Sequence, residues 1–125
     1  MKRILILDDE PSITFGLSRC LQSDQVDVIS CNDLAAAKTA IMNNDKIDAV
    51  ITDVRLSPLN SKDSMDFIQF VRSQFNDVAL IMMSGADDIR NEVMQSGVNY
   101  FFHKPLDVDA LIHLLRDHGL EVGRK

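Results

Sequence analysis

Three consecutive carboxylates, Asp8, Asp9 and Glu10, come directly after the apolar run Ile4–Leu7. Side chains of like charge this close together repel one another and attract a cation. Their hard oxygen atoms suit Mg²⁺, which keeps several waters and binds through one or two carboxylates plus phosphate. The chemistry of this stretch therefore depends on which other polar groups the fold brings beside it.

Three further polar residues, Asp53, Ser84 and Lys104, also stand at or just beyond the end of an apolar run. A carboxylate such as Asp53 can attack phosphorus and form an acyl phosphate. A lysine, as a compact point charge, and a serine, as a hydrogen-bond donor, can then stabilise the phosphoryl oxygens. Because phosphoryl transfer needs mainly positioning and neutralisation of charge, a site that holds all of these groups would suit it.

Five short apolar runs alternate with five patterns of apolar residues at helical spacing. The runs predict strands over residues 4–7, 26–31, 47–52, 78–83 and 98–102. The helical patterns predict helices over residues 11–21, 34–41, 64–75, 87–97 and 108–118. Residues 54–63, which include Pro58, indicate a loop. Asp33 and Asp107 are suited to cap the second and fifth helices.

This alternation predicts an α/β fold, a single doubly wound parallel sheet of five strands with five helices. In the common small order, 2-1-3-4-5, strands one and three are neighbours. Asp8, Asp9 and Asp53 would then surround one crevice, with Ser84 and Lys104 at the same edge. Polar groups from four separate strand ends would form one site.

Length and composition limit the class of protein. The chain has 125 residues, 46% of them hydrophobic and 26% charged, which fits one ordinary globular domain. We expect this domain over residues 1–120, and a C-terminal tail or the start of a linker over residues 121–125. The net charge of -6 argues against binding of nucleic acid. No apolar run is long enough for a membrane span, so we expect a cytoplasmic protein. Cys20 and Cys31 are interpreted as core residues.

The ordered set of motifs resembles the receiver domain of two-component response regulators over nearly the whole chain. These motifs are Asp8-Asp9, Asp53, Ser84-Gly85 and Lys104-Pro105, each following an apolar strand. The resemblance implies a flavodoxin-like fold and a signalling switch that catalyses only its own phosphorylation and dephosphorylation. It also implies Mg²⁺ as cofactor, and a histidine kinase or a histidine phosphotransfer protein as phosphodonor. The signal would pass to a downstream protein or a fused output domain, and a homodimer is left open.

The resemblance assigns the central role to Asp53, which is similar to the phosphoacceptor of the family. Asp9 and Asp53 resemble direct Mg²⁺ ligands, with Asp8 acting through water and the backbone carbonyl of Arg55 completing the set. Glu10 is interpreted as a residue at the start of the first helix.

The resemblance assigns supporting roles to other positions. Ser84 is similar to the hydroxyl that moves onto the phosphoryl group, and Lys104 to its positive partner. Phe101, three residues before that lysine, occupies the position of the switch aromatic. Arg55 and Ala86 occupy positions that flank the path of attacking water, so both would modulate the lifetime of the acyl phosphate.

Two other functions stay open. The loop over residues 54–63 lacks the glycine that the family usually has, which favours a degenerate receiver that binds proteins independently of phosphorylation. A Mg²⁺-dependent phosphatase of small molecules would also use an aspartyl phosphate. Such enzymes generally need an enclosing cap and a second acid near the nucleophile, whereas Val54 and Arg55 follow Asp53 here.

Overall fold

A computed structural model describes residues 1–53, 61–84, 97–104 and 106–123, with residues 61–65 described for the backbone alone. Within these ranges the chain forms five strands and four helices. The strands are β1 (Lys2–Leu7), β2 (Val26–Cys31), β3 (Ala49–Asp53), β4 (Ala79–Ser84) and β5 (Tyr100–His103). The helices are α1 (Pro11–Leu21), α2 (Leu34–Met42), α3 (Ser61–Gln74) and α4 (Val108–Asp117). None of these helices has the length and apolarity that crossing a membrane requires.

The five strands form one parallel sheet in the order β2-β1-β3-β4-β5. This confirms the predicted fold class and strand order. The helix predicted over residues 87–97 lies, apart from Gly97, outside the described residues. All five strands have their carboxyl ends at the same edge of the sheet. The polar residues that follow the strands therefore gather at this edge and not at the opposite one.

The strands are apolar throughout because both faces of the sheet are covered. Alternate strand residues pack against α2 and α3 on one face and against α1 and α4 on the other. Leu5, Val50 and Leu80 belong to the first face, and Ile6, Ile51 and Ile81 to the second, all of them fully buried. Burial of each such side chain contributes about 1.5–3 kcal/mol to the stability of the fold.

Local signals fix where the helices begin. Pro11 occupies the first turn of α1, where its missing N–H costs no hydrogen bond. The carboxylate of Asp33 accepts a hydrogen bond of 2.7 Å from the N–H of Ala36, and Asp107 accepts one of 3.2 Å from Ala110. Both predicted caps are therefore confirmed, and each typically stabilises its helix by about 1 kcal/mol.

Two local predictions were wrong. Helix α3 begins at Ser61, so residues 61–63 are helical and do not belong to the predicted loop. Their sequence, Ser-Lys-Asp, has no apolar period, and a polar first turn of this kind cannot be distinguished from a loop by pattern alone. Cys20 is exposed, whereas Cys31 is buried as predicted. On α1 the neighbouring Leu21 takes the core position instead.

The residues after α4 pack against the domain. Val122 is only 1% exposed, and the guanidinium of Arg116 donates a hydrogen bond of 2.9 Å to its carbonyl oxygen. The hydroxyl of Ser23 donates a hydrogen bond of 2.6 Å to the carbonyl oxygen of Glu121. The boundary at residue 120 stays a prediction, but the packed part of the chain continues to residue 123.

Candidate functional site

Four polar side chains lie at the carboxyl edge of the sheet, as the strand order requires. Asp8 follows β1, Asp53 ends β3, Ser84 ends β4 and Lys104 follows β5. Neighbouring strands are in register at this edge, where Asp53 is opposite Met83 and Ser84 is opposite His103. The parallel ladder therefore brings the backbone positions of these four residues to one edge of the sheet.

Lys104 joins the two acids of the central strands. Its ammonium nitrogen donates a hydrogen bond of 2.8 Å to Oδ2 of Asp53 and one of 3.0 Å to Oδ2 of Asp8. Its backbone N–H donates to the carbonyl oxygen of Ser84 at 2.9 Å. One residue thus connects the ends of β1, β3 and β4, since each of these three partners belongs to a different strand end.

Burial makes the charges at this edge interact strongly. Asp8 is completely buried and Asp53 is 7% exposed. The pKa of Asp8 is raised, mainly because burial disfavours its charged form, and the charge of Asp53 raises it further. The N–H of Glu10 and the ammonium group of Lys104 oppose this shift. Burial alone would lower the pKa of Lys104, but its bonds to the two carboxylates outweigh that effect and raise it, so the lysine stays charged.

Three carboxylates form a compact acidic cluster, defined here as Asp8, Asp9 and Glu10. Each offers an oxygen atom, and these atoms all lie within 4.8 Å of one another. Exposure increases along the cluster, from the buried Asp8 through the half-buried Asp9 to the exposed Glu10. Hard oxygen donors with one side open to solvent fit Mg²⁺, which keeps part of its water shell when it binds. Glu10 is also the N-cap residue of α1, the position predicted for it.

Two residues that support this cluster were missed by the sequence analysis. The side-chain amide of Asn32 donates hydrogen bonds to the carbonyl oxygen of Asp8 at 3.0 Å and to the hydroxyl of Thr14 at 2.9 Å. A usable signal was present, because Asn32 follows β2, the neighbour of β1, at the same edge of the sheet. Since β2 and β3 are both neighbours of β1, a polar residue after either strand can contact the acids that follow β1.

Phe101 lies on β5 and is half buried. Its ring packs against the core on the side of α2 and α3, and it meets the ring of His103 edge to face, with 5.2 Å between the centroids. Phe101 is therefore three residues from Lys104 in sequence, but it packs against the hydrophobic core. Arg55 and Ala86 lie outside the described residues.

The fold and the site define a class, that of flavodoxin-like α/β domains with a lysine joined to acids at the carboxyl edge. The sequence model of the response regulator receiver domain matches residues 4–116. The chain belongs to the family of response regulator receiver domains.

Similar proteins include the transcriptional regulatory protein GlrR of Escherichia coli strain K12, 28% identical over 91% of this chain. The response regulator MprA of Mycobacterium sp. strain KMS is 27% identical over 91% of this chain. The matched part is 25% of GlrR and 49% of MprA, so the chain spans at most about half the length of these relatives.

Among solved structures, a CheY-like receiver domain protein from Methanospirillum hungatei has the same fold. Its TM-score is 0.81 at 19% sequence identity, with 94% of this chain and 92% of that chain covered.

Proposed function

We propose that this chain is the phosphoacceptor switch of a two-component phosphorelay, phosphorylated on Asp53 with Mg²⁺. The observation that carries the proposal is the lysine shared by Asp53 and Asp8 at the carboxyl edge of a receiver domain. This arrangement holds a carboxylate close to a fixed positive charge, where a phosphoryl group can be received and neutralised.

The cation site of the proposal uses the acidic cluster together with Asp53. Asp9 and Asp53 would be direct ligands, and the backbone carbonyl of Arg55 would complete the set. Asp8 acts through water, which fits its burial and the engagement of both its carboxylate oxygens, one by Lys104 and one by the N–H of Glu10. Mg²⁺, when bound, offsets the negative charges of the carboxylates and of the incoming phosphoryl group.

The transfer step forms one bond and breaks one. A carboxylate oxygen of Asp53 attacks the phosphorus atom of the donor, and the bond from phosphorus to the donor breaks with its electron pair leaving on the donor. Lys104 then exchanges part of its contact with Asp53 for a contact with a phosphoryl oxygen. Hydrolysis reverses the modification when water attacks the same phosphorus and the carboxylate of Asp53 leaves.

Ser84 and Phe101 convert the modification into a change of shape. The hydroxyl of Ser84, which is almost fully buried at the end of β4, turns toward the phosphoryl group. Phe101 then moves from its half-buried position into fuller burial. Since Phe101 has no hydroxyl group, the gain comes from apolar burial and is at most about 1.5–3 kcal/mol.

The partners follow from this role. The phosphodonor is a histidine kinase or a histidine phosphotransfer protein in the cytoplasm, and the changed surface beside β5 and α4 binds a downstream protein, a fused output domain or a second copy. The downstream partner would recognise the surface near Phe101, whereas the phosphodonor has to reach Asp53 beside the acidic cluster.

The test is phosphorylation by acetyl phosphate with Mg²⁺, followed as the gain of one phosphoryl group in the intact mass. Asp53→Asn should abolish the gain, while Asp45→Asn, which changes an exposed acid far from the site, should not. Beryllofluoride, a mimic of the phosphoryl group, should also produce a Mg²⁺-dependent change in the NMR spectrum of the wild type. If the wild type shows neither response, the result would favour the alternative of a phosphorylation-independent binding module. Multiple turnover of phosphate monoesters would instead indicate a phosphatase.

A further inference from the structure

Asn32 makes two hydrogen bonds that join separate parts of the chain. Its side-chain nitrogen donates to the carbonyl oxygen of Asp8 at 3.0 Å and to Oγ1 of Thr14 at 2.9 Å. Both hydrogens of the amide are therefore used, and the two acceptors lie on either side of the β1–α1 turn. That turn contains Asp9 and Glu10.

Thr14 continues the connection into the first turn of α1. It is only 3% exposed, and its hydroxyl, while accepting from Asn32, donates to the carbonyl oxygen of Pro11 at 3.1 Å. The hydroxyl group of Thr14 thus accepts one hydrogen bond and donates another. We name this chain of bonds, from Asn32 through Thr14 to Pro11, the Asn32 clamp.

The clamp binds the backbone carbonyl group of Asp8, whose N–H and carboxylate have other hydrogen-bond partners. The N–H of Asp8 donates to the carbonyl oxygen of Cys31 at 3.1 Å, and its carboxylate accepts from Glu10 and Lys104. Its carbonyl group accepts from Asn32. This carbonyl belongs to the peptide that joins Asp8 to Asp9, so its direction sets the position from which the side chain of Asp9 starts.

We propose that Asn32 is a positioning residue that aims Asp9 at the cation and makes the site selective for Mg²⁺ over Ca²⁺. The inference rests on the proposed function, because it takes Asp9 as a direct ligand. Mg²⁺ requires nearly ideal octahedral geometry at about 2.0–2.1 Å, whereas Ca²⁺ accepts irregular sets of ligands at longer distances. Loss of the clamp lets the peptide between Asp8 and Asp9 rotate, and this penalises the stricter ion more.

The test measures the dissociation constants of Mg²⁺ and of Ca²⁺ by calorimetric titration of the full chain. Asn32→Ala should raise the constant for Mg²⁺ about tenfold or more, the usual effect of removing a group that orients a ligand. The constant for Ca²⁺ should rise much less. Thr14→Val should change the ratio of the two constants in the same direction, and Thr14→Ser, which keeps the hydroxyl group, should restore it.

Asn44→Ala is the matched control, because the amide of Asn44 also donates to a backbone carbonyl, that of Ala40, at 2.7 Å. That bond lies near the end of α2, so its loss should leave both constants unchanged. Equal weakening of Mg²⁺ and Ca²⁺ by Asn32→Ala, or an effect no larger than that of Asn44→Ala, would overturn the inference and leave the proposed function standing. A wild type that binds no Mg²⁺ would overturn both.

Discussion

Lys104 donates a hydrogen bond of 2.8 Å to Asp53 across 51 residues of sequence. The same ammonium group donates to Asp8, which is completely buried, so one positive charge is shared by two acids. Two carboxylates this close would otherwise raise the free energy of the folded state by mutual repulsion. Lys104 is therefore needed for the stability of this edge as well as for the proposed chemistry.

Replacing Lys104 by methionine should lower the free energy of unfolding by about 3 kcal/mol, because the buried Asp8 loses its positive partner. The double variant Lys104→Met/Asp8→Asn should recover most of this loss, since an amide carries no charge to bury. Urea denaturation in metal-free buffer at neutral pH measures both values. A double variant that is no more stable than the single one would contradict this explanation.

Asp9 and Glu10 should differ in function although both belong to the acidic cluster. Asp9→Ala should abolish Mg²⁺-dependent phosphorylation by acetyl phosphate, because it removes a proposed direct ligand. Glu10→Ala should reduce the rate less than about twofold. Glu10 is exposed at the start of α1, where its negative charge interacts favourably with the helix dipole. Equal losses in the two variants would indicate that the acidic cluster acts only through its total negative charge.

Arg55→Ala should change the rate at which phosphorylated protein loses its phosphoryl group. A guanidinium two residues beyond the proposed phosphoacceptor, Asp53, can pair with phosphoryl oxygens or shield them from water. Ala86→Asn would add a polar side chain at the other position that the family resemblance places beside the path of water, and we expect it to change the same rate. The rate is followed by intact mass after removal of acetyl phosphate. An unaltered rate in Arg55→Ala would refute the assignment.

Arg72 joins α3 to the amino-terminal ends of β4 and β5. Its guanidinium donates to the carbonyl oxygens of Val78 at 2.7 Å and Gly97 at 2.9 Å, and to Oδ1 of Asn99 at 2.9 Å. Arg72→Ala should lower the free energy of unfolding by about 2 kcal/mol, because several acceptors lose a charged donor. Chemical denaturation measures the loss.

A lysine at position 72 should retain part of this stability, since an ammonium group cannot reach three separate acceptors in the plane of a guanidinium. The control is Arg19→Ala, which removes an exposed arginine 5.7 Å from the centroid of the Phe15 ring. We expect that change to cost less than about 1 kcal/mol. Similar losses from Arg72→Ala and Arg19→Ala would show that the hydrogen bonds of Arg72 contribute little to stability.

The two cysteines should react at very different rates with a thiol reagent. Cys20 is exposed on α1, whereas Cys31 is 4% exposed. Burial, with a smaller contribution from the charge of Asp33, raises the pKa of Cys31, so less of it is the reactive thiolate at any given pH. Native protein should therefore react once with iodoacetamide at pH 8, and Cys20→Ser protein should react only after unfolding. Rapid labelling of native Cys20→Ser protein would contradict the buried position of Cys31.

The strands, and the placement of four polar residues at one edge of the sheet, could be predicted because both depend on apolar runs and on residues that stand directly after them. Unbroken apolar runs indicate strands covered on two faces, and the strand order then brings Asp8, Asp53, Ser84 and Lys104 to one edge. The caps at Asp33 and Asp107 depend on a few neighbouring residues only. In each case the information is local or follows from topology.

The missed features depend on contacts that have no period in the sequence. Asn32 and Thr14 are ordinary polar residues until the sheet order places them beside Asp8. The polar first turn of α3 gives no apolar pattern, and Cys20 lies at the edge of a helical face where a rotation of one residue decides its exposure. The packing of Val122 depends on its burial in the hydrophobic cluster beside α1 and α4 and on two hydrogen bonds from Arg116 to its carbonyl oxygen.

The contact between Lys104 and Asp8 spans 96 residues of sequence, and this separation has a consequence for synthesis. The two acids are made before their lysine, so a chain whose synthesis has not reached residue 104 carries Asp8 and Asp53 without the charge that neutralises them. Such a chain cannot complete the edge of the sheet on which the proposed phosphorylation depends. Competence to receive a signal would thus be acquired only when β5 joins the sheet, and truncated products would be excluded from the pathway.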